Sequence, residues 1–412
     1  MTIIICSDGT GNSDTGTPSN VRRLFDLLIQ KSPTQVALYD PGVGTEPRQP
    51  GTSRLRYTAA HLRALWFGTG VEENLIQLYS WLVEKYQPGD RVFLFGFSRG
   101  AFTVRALAGL LHVCGVVRPD RNLVIRAVNL YRTSESRIKA ARRQRGLPAK
   151  FGRDETTDHA SFDADARDFR EQFGQPCTID FLGIWDTVKA YGWLWPRSFP
   201  ALRHNASVTA VRHAVSLDER RAVFKMTGWG DWNSRVREVW FAGDHSDVGG
   251  GHQRGNSPLA DAALRWMLGE ATDAGLLLNP ARQAEVTRIE ERGREAGTAR
   301  PHNLFWRSGF FVTDSLPRIE LDNAVYPPRR SGRVFWLDGR RKPGDHAAAA
   351  TVLIHESVQR RYVGVDGKYG YARLVRRSRR FGGARGVTLR VQTAHDTAIC
   401  WPPPPAAPDE VG

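Results

Sequence analysis

A serine between two glycines carries the strongest chemical signal in the sequence. Residues 96–101 read GFSRGA, with an apolar run before them and a helical pattern after them. A G-x-S-x-G turn at a strand-to-helix junction holds its serine exposed and strained, and the small neighbours make that turn possible. The helix N-terminus then faces any oxyanion formed at the serine. Ser98 is therefore predicted to be a catalytic nucleophile; the alternative is a tight turn that merely needs small residues.

A nucleophilic serine requires a histidine as base and an acid that orients the histidine. In chains with this type of elbow, the order along the sequence is Ser, acid, His. Asp186 and Asp247 both lie just past later predicted strands. Among the histidines, His355 lies late, after a predicted strand and at a helix start. His355 is the predicted base, and both acids remain candidates.

Four potential metal ligands are concentrated between residues 244 and 252, but their pattern does not favour a metal. A glycine triplet interrupts them, and no ligand spacing such as H-E-x-x-H is present. We therefore expect no metal and no cofactor. Asp247 is preferred as the acid of the triad, with Asp244 or His245 supporting the loop through hydrogen bonds. The four residues are Asp244, His245, Asp247 and His252.

The first glycine-rich turn, residues 7–12 (SDGTGN), is predicted to lie beside the serine. It matches neither G-x-G-x-x-G nor the P-loop pattern, so nucleotide binding is not expected. Backbone N–H groups of Gly9 or Thr10, together with that of Arg99, are predicted to stabilise an oxyanion. The alternative is a plain glycine turn capped by Asp8 and Asn12.

These residues need a frame that brings strand ends together. Strand-like and helix-like patterns alternate over the first 115 residues, which predicts a mostly parallel sheet with helices on both faces. Strands resume at 178–185 and 239–242. The polar, arginine-rich stretch 116–175 and the stretch 189–235 are predicted to be cap insertions, the first helical in parts.

The domain organisation follows from the same patterns. Residues 1–360 are predicted to form the catalytic domain. Residues 361–412 are predicted to be a basic extension with an arginine-rich run at 373–385 and a loose proline-rich tail.

The net charge of +15 and the pI near 10.1 indicate polyanionic partners, unless they merely reflect arginine-rich codon usage. No run of 18 apolar residues occurs, the N-terminus lacks the features of a signal peptide, and the four cysteines are isolated. We expect a cytoplasmic protein, or one exported without a signal peptide. An anionic membrane surface is the candidate partner; nucleic acid is not expected, because the basic run has few aromatic residues.

Several motifs together resemble one bacterial and fungal family, the catalytic domain of type VI secretion phospholipase effectors. The resemblance spans about residues 2–360. It rests on residues 8–12, 39–45, 96–101, 183–188 and 240–251, with further likeness at 213–221 and 355–358.

The resemblance implies an α/β-hydrolase fold and serine esterase or phospholipase activity, with Ser98 as nucleophile. It leaves Asp186 and Asp247 both open as the acid, and the position usual in this fold favours Asp247. The predicted function is hydrolysis of a lipid or phospholipid acyl ester through an acyl-enzyme. The alternatives are a non-catalytic binding module of the same fold and a basic nucleic-acid-binding protein.

Overall fold

Nine strands in the described part of the chain form one sheet, of which eight neighbouring strands run parallel. The computed structural model describes residues 1–9, 17–42, 71–144, 164–188, 205–219, 224, 226–229, 234–252, 257–299, 351–358, 388–392 and 399–401. The strand order is β2-β1-β3-β4-β5-β6-β7-β8-β9, and only β9 is antiparallel to its neighbour. The strands are β1 (Thr2–Ser7), β2 (Gln35–Asp40), β3 (Arg91–Phe97), β4 (Ile179–Trp185), β5 (Val208–Ser216), β6 (Val236–Phe241), β7 (Thr351–His355), β8 (Thr388–Gln392) and β9 (Ile399–Trp401).

Helices cover both faces of the sheet. Successive residues of a strand point to opposite faces, and those of β3 divide accordingly: Val92 and Leu94 join one apolar core, Phe93 and Phe95 the other. The first core includes α2 to α5 and the second includes α1, α7 and α8. The predicted mostly parallel α/β architecture is thus confirmed. The helices are α1 (Asn20–Leu27), α2 (Val71–Lys85), α3 (Arg99–Cys114), α4 (Arg121–Gln144), α5 (Ala164–Phe173), α6 (His245–Gly249), α7 (Pro258–Asp273) and α8 (Gln283–Arg294).

The two stretches predicted to be insertions contribute to the body of the fold. Within 116–175, α4 and α5 pack on α3, and reciprocal backbone hydrogen bonds of 2.8 Å join Val116 to Gln175 at the base of the segment. Within 189–235, β5 lies inside the sheet between β4 and β6. The aromatic segment 193–199 and the basic run 373–385 lie outside the described residues. No helix in the described ranges is both long and apolar enough to span a bilayer.

The strand order places a crevice at the carboxyl end of the sheet. From β1 the chain adds β2 on one side and then β3 on the other, so the direction of winding reverses between β1 and β3. Open α/β sheets bind ligands at such a switch point, outside the carboxyl ends of the strands. Ser98 follows β3 directly, and Asp186 follows β4.

The elbow depends on a close approach between α3 and the end of β1. A Cβ built on Gly100 overlaps the carbonyl oxygen of Ser7, and one built on Gly96 lies 2.7 Å from the Cα of Ala101. Both contacts are with backbone, which cannot move aside as a flexible side chain can. The glycines of the G-x-S-x-G pattern are therefore required by packing.

We expect Gly100→Ala to destabilise the protein by about 1–3 kcal/mol or more, because the added methyl forces β1 and α3 apart. Gly269→Ala is the matched control: Gly269 lies in α7 with open space around it, and alanine is about 1 kcal/mol more favourable there. Urea unfolding of both variants measures the difference. Equal midpoints for the two variants would contradict the predicted contact.

Candidate active site

Ser98 occupies the strained turn predicted for a nucleophile. Its φ of 58° and ψ of −117° are unusual for a residue other than glycine, and it directly precedes α3. Its N–H donates to the carbonyl of Trp185 at 3.0 Å, which fixes the elbow to the last residue of β4. Such strain at a residue held by both neighbouring elements is characteristic of functional sites.

His245, at the start of α6, is the histidine that contacts Ser98. Its Nε2 lies 2.9 Å from Ser98 Oγ. The imidazole is flanked by Phe97 and Phe224, with centroid distances of 4.6 and 4.7 Å. These rings restrict the rotation of the imidazole and limit the access of water to it, so His245 is positioned to accept the hydroxyl proton.

Asp186 holds the other side of the imidazole. Its Oδ2 lies 2.5 Å from His245 Nδ1, and its two oxygens accept from the N–H of Ser216 at 2.9 Å and the Oγ of Ser216 at 3.2 Å. The carboxyl is fully buried, and the φ of Asp186 is +42°. A carboxylate bound to Nδ1–H selects the tautomer whose Nε2 is an acceptor, as a general base toward Ser98 requires.

Two acidic side chains from the loop after β5 fix the backbone of the His245 segment. Glu219 Oε2 accepts from the N–H of His245 at 3.2 Å, and Asp218 Oδ2 accepts from the N–H of Gly243 at 2.8 Å. Glu219 is 2 % exposed. The position of the imidazole therefore depends on β5 as well as on α6.

A buried histidine–glutamate pair supports the turn that carries Asp186. His213 Nε2 accepts from the N–H of Thr187 at 3.2 Å, while its Nδ1 lies 2.9 Å from Glu238 Oε2. Neither residue is identified as functional from the sequence pattern alone. The sequence does carry a signal for them: His213 lies in β5 and Glu238 in β6, and each is an ionisable residue within a largely apolar strand.

His355, the predicted base, lies elsewhere. It ends β7 at the same edge of the sheet, but its Nδ1 accepts from the N–H of Ser357 at 3.2 Å and lies 2.9 Å from Ser357 Oγ. Its ring stacks on Phe241 at 4.4 Å. His245, predicted only to support the loop, has the contact with Ser98 that was expected of His355.

Asp247, the preferred acid, faces the start of its own helix. Its Oδ2 accepts from the N–H of Asp244 at 3.2 Å, and its Oδ1 accepts from Ser257 Oγ at 3.1 Å. Asp244 in turn accepts from the N–H of Asp247, which completes a capping box. The carboxyl of Asp247 thus caps α6, and Asp186, the alternate acid, is the one beside His245.

The predicted oxyanion donors differ in whether their backbone N–H already has an acceptor. The N–H of Gly9 donates to Asp8 Oδ1 at 2.6 Å and so already has an acceptor. Thr10 lies outside the described residues. Arg99 is the first residue of α3, where backbone N–H groups lack partners within the helix. Of the three predicted donors, Arg99 remains suitable.

Asp8 joins the ends of three elements beside the elbow. Besides Gly9, its carboxylate accepts from the hydroxyls of Ser19, at the start of α1, and Tyr39, in β2. Burial, reinforced by the negative charge of Asp8, raises the pKa of Tyr39 and keeps its phenol protonated as a donor. The supporting role predicted for Asp8 is thus consistent with its contacts.

The acidic and histidine side chains of the site do not form a metal cage. In the described part of the chain, no three His, Cys, Asp or Glu side chains are grouped in a way that could ligate a metal ion. Asp244 and Asp247 are engaged in capping α6, and His245 contacts Ser98 and Asp186. The arrangement matches that of a serine nucleophile with its base and acid.

Comparison of the sequence with protein families gives a match across this site. The model of the family "T6SS, Phospholipase effector Tle1-like, catalytic domain" matches residues 1–270. The chain belongs to this family. The matched region contains Ser98, Asp186 and His245 and ends before His355. Membership associates the chain with a class of effectors named for phospholipid hydrolysis.

Individual relatives share only part of their length with the chain. An uncharacterised protein of Saccharomyces cerevisiae is 32% identical over 232 residues, which are 54% of this chain and 32% of the yeast protein. An uncharacterised protein from Pseudomonas aeruginosa has 21% identity and a TM-score of 0.39, over 73% of this chain and 51% of its own. The Tle1 effector, solved bound to the VgrG spike, has 16% identity and a TM-score of 0.34, over 76% and 78% of the two chains.

Proposed function

We propose that this chain is a serine hydrolase that cleaves the acyl ester of a lipid or phospholipid, with Ser98 as nucleophile, His245 as base and Asp186 as acid. The observation that carries the proposal is the continuous contact from Ser98 Oγ to His245 Nε2 at 2.9 Å and from His245 Nδ1 to Asp186 at 2.5 Å. These residues also follow the order Ser, Asp, His expected of a chain with a nucleophile elbow. The lipid substrate is supported by membership in the family.

In the acylation step, Ser98 Oγ attacks the ester carbonyl carbon and His245 Nε2 takes the hydroxyl proton. The carbonyl oxygen becomes an oxyanion, to which the N–H of Arg99 donates at the N-terminus of α3; one such donor contributes roughly 3 kcal/mol. The carbon–oxygen bond to the alcohol then breaks, and His245 gives its proton to the departing alcohol. An acyl group remains on Ser98.

In the deacylation step, His245 takes a proton from water as the water oxygen attacks the acyl carbon. The bond to Ser98 Oγ breaks, and the proton returns to Ser98 as the carboxylic acid leaves. Asp186 stays ionised throughout and stabilises the transient imidazolium. Its burial and its bonds from Ser216 keep that charge fixed in place.

A fluorophosphonate probe tests the proposal directly, because it reacts with an activated serine and not with an ordinary hydroxyl. We expect stoichiometric labelling of the folded full chain, with the label on the peptide that contains Ser98. Ser7, buried beside the elbow and hydrogen-bonded to Asp40, is an internal control that remains unlabelled. Folded protein without label at Ser98 would favour the alternative of a non-catalytic binding module.

A further inference from the structure

A buried cation stands next to the proposed nucleophile. Arg99 is 8 % exposed, and among the described residues no hydrogen bond or ion pair to its guanidinium is found. Burial alone lowers its pKa, to about 10, so the side chain remains charged at neutral pH. An unpaired buried charge is strongly unfavourable in a folded protein.

The position of Arg99 adds to this cost. It is the first residue of α3, and a cation at a helix N-terminus is disfavoured by the partial positive charge of the helix end. Burial and the helix dipole thus both oppose the charge. Unfavourable ionised groups that the fold nevertheless retains are concentrated at functional sites.

The acidic side chains at this edge of the sheet have other partners. Asp8 binds Ser19 and Tyr39, and Asp186 binds His245 and Ser216. Asp40, at the end of β2, accepts from Ser7 Oγ at 2.7 Å. Among the residues that the structure describes, no carboxylate influences the pKa of Arg99, which burial alone lowers. Within the described ranges, the protein itself supplies no negative charge to Arg99, and a bound anionic ligand would supply one.

The side chain of Arg99 leaves the backbone directly beside the reacting serine. The Cα atoms of Ser98 and Arg99 are about 3.8 Å apart as chain neighbours. Side chains of a helix tilt toward its N-terminus, and the N-terminus of α3 is the end at Ser98. In a glycerophospholipid, the phosphate is joined to the acyl esters by the short glycerol backbone, and arginine matches phosphate oxygens with two parallel N–H donors.

We propose that the Arg99 guanidinium binds the phosphodiester of a glycerophospholipid while Ser98 attacks one of its acyl esters. This inference rests on the proposed function and narrows its substrate to lipids with an anionic phosphate. Before substrate binds, no carboxylate in the described part of the chain pairs with Arg99. The phosphate supplies the countercharge, so the enzyme discriminates against neutral glycerides.

The test compares dioleoylphosphatidylglycerol with dioleoylglycerol in the same non-ionic detergent micelles. For Arg99→Gln, we expect the ratio of kcat/KM for the phospholipid to that for the neutral lipid to fall roughly 10- to 100-fold relative to the wild type. Arg118→Gln is the matched control, since it removes the same charge from a side chain that is 74% exposed, and its ratio should not change. Equal losses on both lipids in Arg99→Gln overturn the inference.

Thermal unfolding separates this role from a structural one. Removing an unpaired buried charge should leave the Tm of Arg99→Gln unchanged or raised, whereas a structural arginine would lower it. If Arg99→Gln does not fold, Arg99→Lys decides, because it keeps the charge and loses the paired donors. An intermediate fall in the substrate ratio supports the inference, and an unchanged ratio overturns it.

Labelling experiments distinguish a lipid phosphate from free phosphate as the ligand of Arg99. They also distinguish failure of this inference from failure of the proposed function. Inorganic phosphate should slow fluorophosphonate labelling of the wild type more than that of Arg99→Gln. Slowing by phosphate with an unchanged lipid ratio would assign the site to free phosphate and overturn the headgroup assignment. Absence of labelling in the wild type rejects the proposed function itself, whereas labelled enzyme with equal lipid losses in Arg99→Gln rejects only the inference.

Discussion

Replacing His245 with alanine is expected to lower kcat for ester hydrolysis by about 10⁴- to 10⁶-fold, because Ser98 then has no base. His245 Nε2 is within hydrogen-bond distance of Ser98 Oγ, and the flanking rings of Phe97 and Phe224 hold the imidazole in place. The measurement is steady-state hydrolysis of a fluorogenic ester by the full chain. Fluorophosphonate labelling of Ser98 should slow in parallel.

His355→Ala is the matched control for this prediction. Both histidines are buried and both contact an aromatic ring, but His355 Nδ1 is bound to Ser357 rather than to Ser98. Its replacement should cost stability through lost packing and leave kcat per folded molecule within about tenfold of the wild type. A larger loss of kcat in His355→Ala than in His245→Ala would assign the base to His355 instead.

The strained turn at Ser98 could be predicted from the sequence because it is a local feature. Gly96 and Gly100 are required by contacts within or beside the turn, and the apolar run of β3 and the helical pattern of α3 identify the elements around it. The parallel sheet was equally predictable, because its strands and the helices between them are each indicated by short-range periodicity in the sequence. The same reasoning missed β5, whose alternating pattern lies between two stretches that resemble loops.

The choice of base could not be made from local features. His245 and His355 both follow a strand of the same parallel sheet, so both reach the same edge. Which one meets Ser98 depends on the order of the strands. In the sheet, β4 and β5 lie between β3 and β6, and β7 lies beyond β6, so the histidine that follows β6 is closer to Ser98. The order of strands can be derived only if β5 is recognised as part of the sheet, and its short pattern within 189–235 does not indicate this.

The sequence around Asp247 carries a local signal that bears on the choice of acid. Asp244 and Asp247 are three residues apart at the start of a helix, which is the spacing of a capping box. That pattern predicts that Asp247 turns back toward the backbone of Asp244 and is therefore engaged within its own helix. It leaves Asp186 as the acid available to a histidine in the same segment.

Asp186→Asn is expected to lower kcat about 10⁴-fold while the protein remains folded. The amide can still accept from Ser216, but an amide nitrogen facing His245 Nδ1 favours the tautomer in which Nε2 carries the hydrogen. Nε2 then can no longer take the proton of Ser98. Hydrolysis of the same fluorogenic ester measures the effect, with circular dichroism as the test of folding.

Asp247→Asn is the control that separates the two acids, because it makes the same chemical change two residues after His245. Asparagine can still accept from the N–H of Asp244, so the variant should lose about 1 kcal/mol of stability and less than tenfold in kcat. Asp186→Asn should therefore show the larger loss of kcat, and Asp247→Asn the larger loss of stability from helix capping. The opposite kinetic order would mean that α6 rearranges to bring Asp247 to the imidazole when substrate is bound.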